Sequence, residues 1–150
     1  MVSFHICQDV YNKIMDCCSK SLDLANLFAA LADTTRLRLL NLMVGREVCV
    51  CYFVEILGQS QPKISRHLAY LRKAGIVSAR REGKWMHYSI CSPTDAARAS
   101  ILTSVLAALK SDPQMRADLK RLDRAQSAPE APTIPLSAFL AASIAPPTSS

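Results

Sequence analysis

A basic, helix-patterned segment lies between two glycines, Gly58 and Gly75, and few folds accommodate it. Ser60 can cap the start of this helix, and Pro62 occupies its first turn, where a missing N–H costs little. Apolar residues recur at helical spacing along one stripe, at Ile64, Leu68 and Leu71. With an apolar helix that ends before Gly58, the pattern is that of a helix, a short turn and a second helix.

Two strand-like runs follow Gly75. They are residues 76–81 (IVSARR) and 84–90 (KWMHYSI), and the intervening Glu82-Gly83 is typical of a hairpin turn. Further helices are expected at residues 22–32 and 34–43, the second with a cap at Asp33 and Thr34, and from about residue 94 to residue 111. The predicted fold class is therefore mainly α with a β-hairpin wing, a winged helix-turn-helix.

Composition divides the chain into four expected segments. These are an N-terminal helix with candidate metal-ligand cysteines (1–21), the winged helix-turn-helix (22–112), a charged extension that continues the last helix past Pro113 (113–124), and a disordered Ala/Pro/Ser tail (125–150). The chain begins without a signal-peptide pattern and has no apolar run long enough to span a bilayer. We therefore expect no membrane partner and a cytoplasmic protein whose cysteines stay reduced.

The positive charge is concentrated in the predicted reading head. Residues 61–90 hold seven Lys/Arg and one acid, while the whole chain has a net charge of +6. A solvated helix face can also carry lysines and arginines without any partner. Here the charge, the capped helix and the hairpin coincide, which favours DNA binding. Base contacts are expected from the start of the basic helix and phosphate contacts from the hairpin. The candidates are Ser60, Gln61, Lys63, Ser65 and Arg66 on the helix, and Arg80, Arg81 and Lys84 on the hairpin. For His67, at the edge of the buried stripe, a packing or hydrogen-bonding role is expected at least as much as a base contact.

Cys49 and Cys51 flank one valine in an apolar run, where VCVC alternates with period two. A single buried cysteine is usually a small apolar side chain, and Cys91 is assigned that role. Two cysteines at this spacing suggest a site for a soft ion, which thiolates prefer. In a regular helix, residues two apart point about 200° apart. The pair can therefore share an ion only where the helix begins late or is locally unwound.

Four stretches, FAALADTTRLRLL, EVCVC, QSQPKISRHLAYLRKAGIV and REGKWMHYSI, resemble successive motifs of the ArsR/SmtB family, especially its arsenic-responsive members. The resemblance covers roughly residues 22–91. It implies a repressor that dimerises through its first and last helices, binds operator DNA, and leaves DNA when As(III) or Sb(III) binds to its cysteines.

The resemblance also leaves the ligand set open. Arsenic sensors of the most similar type have Cys-Val-Cys-Asp-Leu-Cys, but Val54 stands where the third cysteine would be. One alternative is a three-sulfur site for As(III) or Sb(III) formed across the dimer by Cys17, Cys18 and Cys51, with Cys49 replacing or joining Cys51. The other is a four-sulfur site for Cd(II) or Pb(II) that combines Cys49 and Cys51 with Cys7 and either Cys17 or Cys18.

The cysteines and the motifs of the sequence also bear on two other classes of function. A thiol redox-sensing repressor of the same fold is an alternative, because Cys17-Cys18 can form a disulfide in place of an ion site. An enzyme is not expected, since the sequence has no Cys-x-x-Cys, no Gly-rich phosphate loop and no evident base beside a nucleophile.

Overall fold

The computed structural model describes residues 23–128, which form six helices and one three-stranded sheet. The helices are α1 (Leu24–Leu31), α2 (Thr34–Leu42), α3 (Val50–Leu57), α4 (Gln61–Lys73), α5 (Ala96–Leu109) and α6 (Pro113–Ser127). The strands are β1 (Val48–Cys49), β2 (Val77–Glu82) and β3 (Trp85–Ile90). This arrangement confirms the predicted winged helix-turn-helix, with α3 and α4 as the two helices of the motif and β2–β3 as the wing.

The sheet is antiparallel, with strand order β1-β3-β2. Glu82 pairs with Trp85, so the hairpin turn is Gly83-Lys84, one residue later than the Glu82-Gly83 turn predicted from the sequence. Gly83 has a φ of 59°, a left-handed conformation that glycine adopts without steric cost. β1 has only two residues, and its pairing with β3 places Cys49 opposite His87.

Polar caps fix most of the helix starts. Asp33 accepts a hydrogen bond from the backbone N–H of Arg36 at 2.9 Å, which confirms the predicted cap of α2. Ser60 does occupy the N-cap position of α4, but its side chain makes no capping hydrogen bond, contrary to the prediction. Gly58 ends α3 with a φ of 63°, which reverses the chain direction before α4.

The core lies where α2, α3, α4 and β3 meet. The predicted stripe of α4 is confirmed, because Ile64, Leu68 and Leu71 are fully buried. Phe53 of α3 is also fully buried, and its ring centroid lies 6.3 Å from that of Tyr88 on β3. The wing is thereby packed against α3, the helix whose first turn contains Cys51.

The segment after Pro113 differs from the expected continuation of the preceding helix. α5 ends at Leu109, and Asp112 caps a separate helix by accepting a hydrogen bond from Met115 N–H at 3.1 Å. This helix, α6, packs against α2 and α3, with Leu122 fully buried. It also includes residues 125–127, which the sequence had assigned to the tail.

Two of the expected segments fall largely or wholly beyond these bounds. The N-terminal segment 1–21 lies outside the described residues, and so does the tail from residue 129 onward. Within residues 23–128, every helix is too short or too polar to cross a membrane.

Candidate ion-sensing and DNA-binding site

The two sulfurs of the Cys-Val-Cys stretch converge because the helix begins between them. Cys49 is extended, with φ −70° and ψ 144°, and precedes the first residue of α3, Val50. Cys51 lies in the first turn of that helix, and its thiol donates a hydrogen bond to Cys49 Sγ across 2.9 Å. The late helix start that a shared ion requires is therefore present. Both residues are buried, with exposures of 7% for Cys49 and 5% for Cys51.

The contact divides the pair into a thiolate and a thiol. The hydrogen bond from Cys51 lowers the pKa of Cys49 to about 6, although burial by itself would raise it. Backbone N–H groups and His87 also lower this pKa. Cys51 has a raised pKa, because it donates this hydrogen bond, is buried and lies beside the Cys49 charge. One sulfur is thus ready to bind a soft ion at neutral pH, while the other must first lose its proton.

The described residues supply only part of an ion site. Between residues 23 and 128, no third His, Cys, Asp or Glu joins the two sulfurs in a group that could hold a metal ion. Cys91 is buried at the end of β3, as expected of a structural cysteine. The other predicted ligands, Cys17 and Cys18, lie outside the described residues, as does Cys7. Two sulfurs in contact suit a soft ion, but within residues 23–128 they do not by themselves make a complete site.

The start of α4 presents most of the predicted base-contacting residues. Ser60, Lys63 and Arg66 are exposed. Gln61 Nε2 donates to Ser65 Oγ at 3.0 Å, so these two side chains lie together on the first turns of the helix. His67 is partly buried, and its Nδ1 lies 3.5 Å from Asp33 Oδ1, so the ring lies beside the cap of α2.

The three basic residues of the wing have different surroundings. Lys84 is exposed in the hairpin turn, with its Nζ 5.7 Å from the centroid of the Trp85 ring. Arg81 Nε donates to the carbonyl of Gly83 at 2.9 Å. Arg80, by contrast, is held by two carboxylates, with Nη2 2.6 Å from Glu47 and 2.7 Å from Glu82.

Sequence reasoning missed two residues beside the cysteines, Glu47 and His87. His87 lies opposite Cys49 on one side and Arg80 on the other, because β3 is the central strand. Glu47 Oε1 lies 3.6 Å from His87 Nδ1. The alternation in VCVC was the only signal for β1, and it did not show which strand β1 would pair with.

Comparison with known proteins agrees with this fold. Residues 33–79 match the model of a family described as bacterial regulatory protein, arsR family. The arsenical resistance operon repressor of Escherichia coli K12 is 49% identical over 78 residues, which are 51% of this chain and 66% of that repressor. An uncharacterized HTH-type transcriptional regulator of Methanocaldococcus jannaschii is 48% identical over 67 residues, 44% of this chain and 75% of that protein.

Among solved structures, HlyU from Vibrio cholerae N16961 superposes with a TM-score of 0.50 at 28% identity, over 59% of this chain and 91% of HlyU. The matched segment spans just under two thirds of the Escherichia coli repressor. The fold and the relatives are those of DNA-binding transcriptional regulators and not of enzymes. The chain therefore belongs to the arsR family of bacterial regulatory proteins.

Proposed function

We propose that the protein is a transcriptional repressor that binds operator DNA as a homodimer and is released when As(III) or Sb(III) binds to its cysteine thiolates. The observation that carries this proposal is the 2.9 Å contact between Cys49 and Cys51 at the start of α3. The name of the Escherichia coli relative, an arsenical resistance operon repressor, supports arsenic as the inducer.

The geometry suggests how an ion changes the reading head. Two sulfurs bound to one ion through bonds of about 2.3 Å would lie about 3.3 Å or more apart if the angle at the ion is 90° or wider. The sulfurs here are 2.9 Å apart, so an ion that bridges them must separate Cys49 from Cys51. Cys49 belongs to β1, which pairs with the wing, and Cys51 belongs to α3, which leads through Gly58 into α4. Separation of the sulfurs therefore shifts the wing and the DNA-reading helix relative to each other.

Release of DNA then follows from linkage. An ion that favours an arrangement with poor affinity for DNA must itself bind less tightly when DNA is present, by the same factor. Allosteric couplings of this kind are typically about 1–3 kcal/mol, or about 5- to 150-fold in affinity. A chain with one intact thiol of the pair keeps its DNA-binding surface but loses this coupling.

Gel-shift assays with arsenite test the proposal. We expect Cys51→Ser to bind the operator normally and to remain bound in arsenite, because one of the paired sulfurs is missing. Cys91→Ser is the matched control, because Cys91 is a buried cysteine outside the pair, and this variant should be released like the wild type. Normal release of Cys51→Ser would contradict the role given to the pair.

The other sulfurs are proposed to come from Cys17 and Cys18, across the dimer, and to complete a site with Cys51 that Cys49 joins or replaces. If the site instead gathers four sulfurs, Cd(II) or Pb(II) becomes the better inducer, because these ions accept four thiolates. Release assays with As(III), Sb(III), Cd(II) and Pb(II) on the wild type and on Cys17→Ser/Cys18→Ser separate the two versions. Release of the wild type by arsenite that is lost in the variant supports the three-sulfur site. Release of the wild type by Cd(II) or Pb(II), but not by arsenite, supports the four-sulfur site.

A thiol redox sensor is a second candidate, favoured by one observation. A thiolate in contact with a thiol is the arrangement from which a disulfide forms once an oxidant is present. Peroxide in the presence of a metal chelator would release the operator if this is the physiological signal. Retention of the operator under those conditions, with release by arsenite, supports the ion sensor.

A further inference from the structure

Three residues form a row across the sheet, from the cysteine-bearing strand to the outer strand of the wing. Cys49 on β1 pairs with His87 on β3, and His87 pairs with Arg80 on β2. Residues directly opposite each other in antiparallel strands point to the same face of the sheet. Cys49 and Arg80 therefore lie on one face, with His87 between them.

Glu47 connects the two ends of this row. It precedes β1 directly, and its carboxylate receives hydrogen bonds from Arg80 Nη2 at 2.6 Å and from Arg80 Nε at 3.1 Å. A contact through two guanidinium nitrogens fixes orientation as well as distance. This ion pair joins the cysteine-bearing strand to the far strand of the wing.

Arg80 has a second carboxylate partner of a different kind. Glu82 Oε2 lies 2.7 Å from Arg80 Nη2, but Glu82 is two residues further along the same strand. Any movement of the wing carries both members of this pair together. Of the two carboxylate contacts of Arg80, only the one with Glu47 changes when β1 and the wing move relative to each other.

The backbone connection between β1 and the wing is short. β1 has two residues, and both pair with β3. Because so few backbone hydrogen bonds hold β1, an ion pair beside them contributes strongly to the position of this strand. The observed ion pair coexists with sulfurs in contact at 2.9 Å, an arrangement that a bridging ion must open.

We propose that Glu47 is a positioning residue that, through Arg80, stabilises the arrangement of β1 and the wing in which the two sulfurs are in contact and the protein binds DNA. This inference rests on the proposed function. The main role of Arg80 is then to hold β1 in place, not to contact a phosphate. A contact made in one arrangement and weakened in the other shifts the balance between them by its own free energy.

Substitution of the two carboxylates tests this role. Glu47→Gln and Glu82→Gln each remove one negative charge and one partner of Arg80. Because a lost negative charge reduces repulsion of DNA, both variants should gain the same general affinity for DNA. Relative to Glu82→Gln, we expect Glu47→Gln to bind the operator about two- to fivefold more weakly, the range of an exposed ion pair. Half-release should occur at an arsenite concentration lower by a similar factor, because the equilibrium is already displaced.

A double-variant cycle shows whether Glu47 acts through Arg80. The inference predicts that Arg80→Gln removes the effect of Glu47→Gln on operator affinity. Equal operator affinities of Glu47→Gln and Glu82→Gln would overturn the inference, and so would tighter binding by Glu47→Gln. Failure of arsenite to release the wild type would contradict the proposed function instead, while the affinity comparison would still decide the role of Glu47.

Discussion

The most informative single residue is Cys49, because its chemistry depends on where a helix begins. Had α3 started one turn earlier, Cys49 and Cys51 would have pointed to different sides and neither would have affected the other. The extended backbone at Cys49 brings the sulfurs to 2.9 Å, and the resulting hydrogen bond lowers its pKa. The sequence predicted this condition but could not determine whether the chain meets it.

The lowered pKa gives the first prediction. The thiolate of Cys49 should be present above a pH of about 6 and become protonated below it, whereas an ordinary thiol ionises near its reference value of 9.0. Ultraviolet absorbance of the purified protein, which reports thiolates directly, should show one group with a pKa of about 6. This step should vanish in Cys49→Ala. In Cys51→Ala it should move to higher pH, because the hydrogen-bond donor is gone; an unchanged step would show that the contact is not its cause.

Lys84 gives a second prediction at the same scale. It is the exposed cation of the hairpin turn, and a phosphate contact is worth the same on any sequence. Lys84→Ala should weaken binding to operator and random DNA alike and reduce the slope of log affinity against log salt by about 1. Lys110→Ala, which removes an exposed lysine after α5, is the control. A loss confined to the operator would point to a base contact.

At the scale of helices and strands, sequence patterns predicted the features that neighbouring residues determine. The buried stripe of α4, the cap at Asp33 and the two strands of the wing followed from periodicity and turn residues. β1 did not, because a two-residue strand has too few positions to show a period, and its partner is decided by tertiary packing. The break at Pro113 was also missed, since a proline in a helix-patterned segment fits either a kink or the first turn of a new helix.

Helix α6 carries a buried ion pair that the sequence did not indicate. Asp118 is fully buried and accepts hydrogen bonds from Arg38 at 2.7 and 2.9 Å, and from Gln114 at 2.9 Å. The same contact raises the pKa of Arg38. α6 is thus fastened to α2 through a partner far away in the sequence.

This pair gives a third prediction. Asp118→Ala should lower the free energy of unfolding by about 2–3 kcal/mol, because it leaves the largely buried Arg38 without its partner. Asp123→Ala removes an exposed carboxylate of α6 that pairs with Arg46 at 2.8 Å, and it should cost less than about 1 kcal/mol. Urea unfolding of both variants measures the difference. Similar losses would show that the buried pair does not fasten the helix.

At the scale of the whole molecule, the fold was predictable from the sequence, and the proposed ion site only in part. Charge, helix pattern and hairpin together led to the winged helix-turn-helix, because each is encoded in adjacent residues. A ligand set assembled from distant segments, or from two chains, leaves no such local trace. Cys17 and Cys18 therefore remain predicted ligands, and Glu47 entered the account only through the register of the sheet.

One titration tests the central claim directly. Arsenite is added to the complex with a labelled operator while fluorescence anisotropy follows the DNA and ultraviolet absorbance follows arsenic–sulfur bonds. In the wild type, both signals should change together, since sulfur binding drives the release. In Cys49→Ser/Cys51→Ser, the complex should form with similar affinity and the anisotropy should not change on addition of arsenite. Release of the operator from this double variant by arsenite would contradict the account.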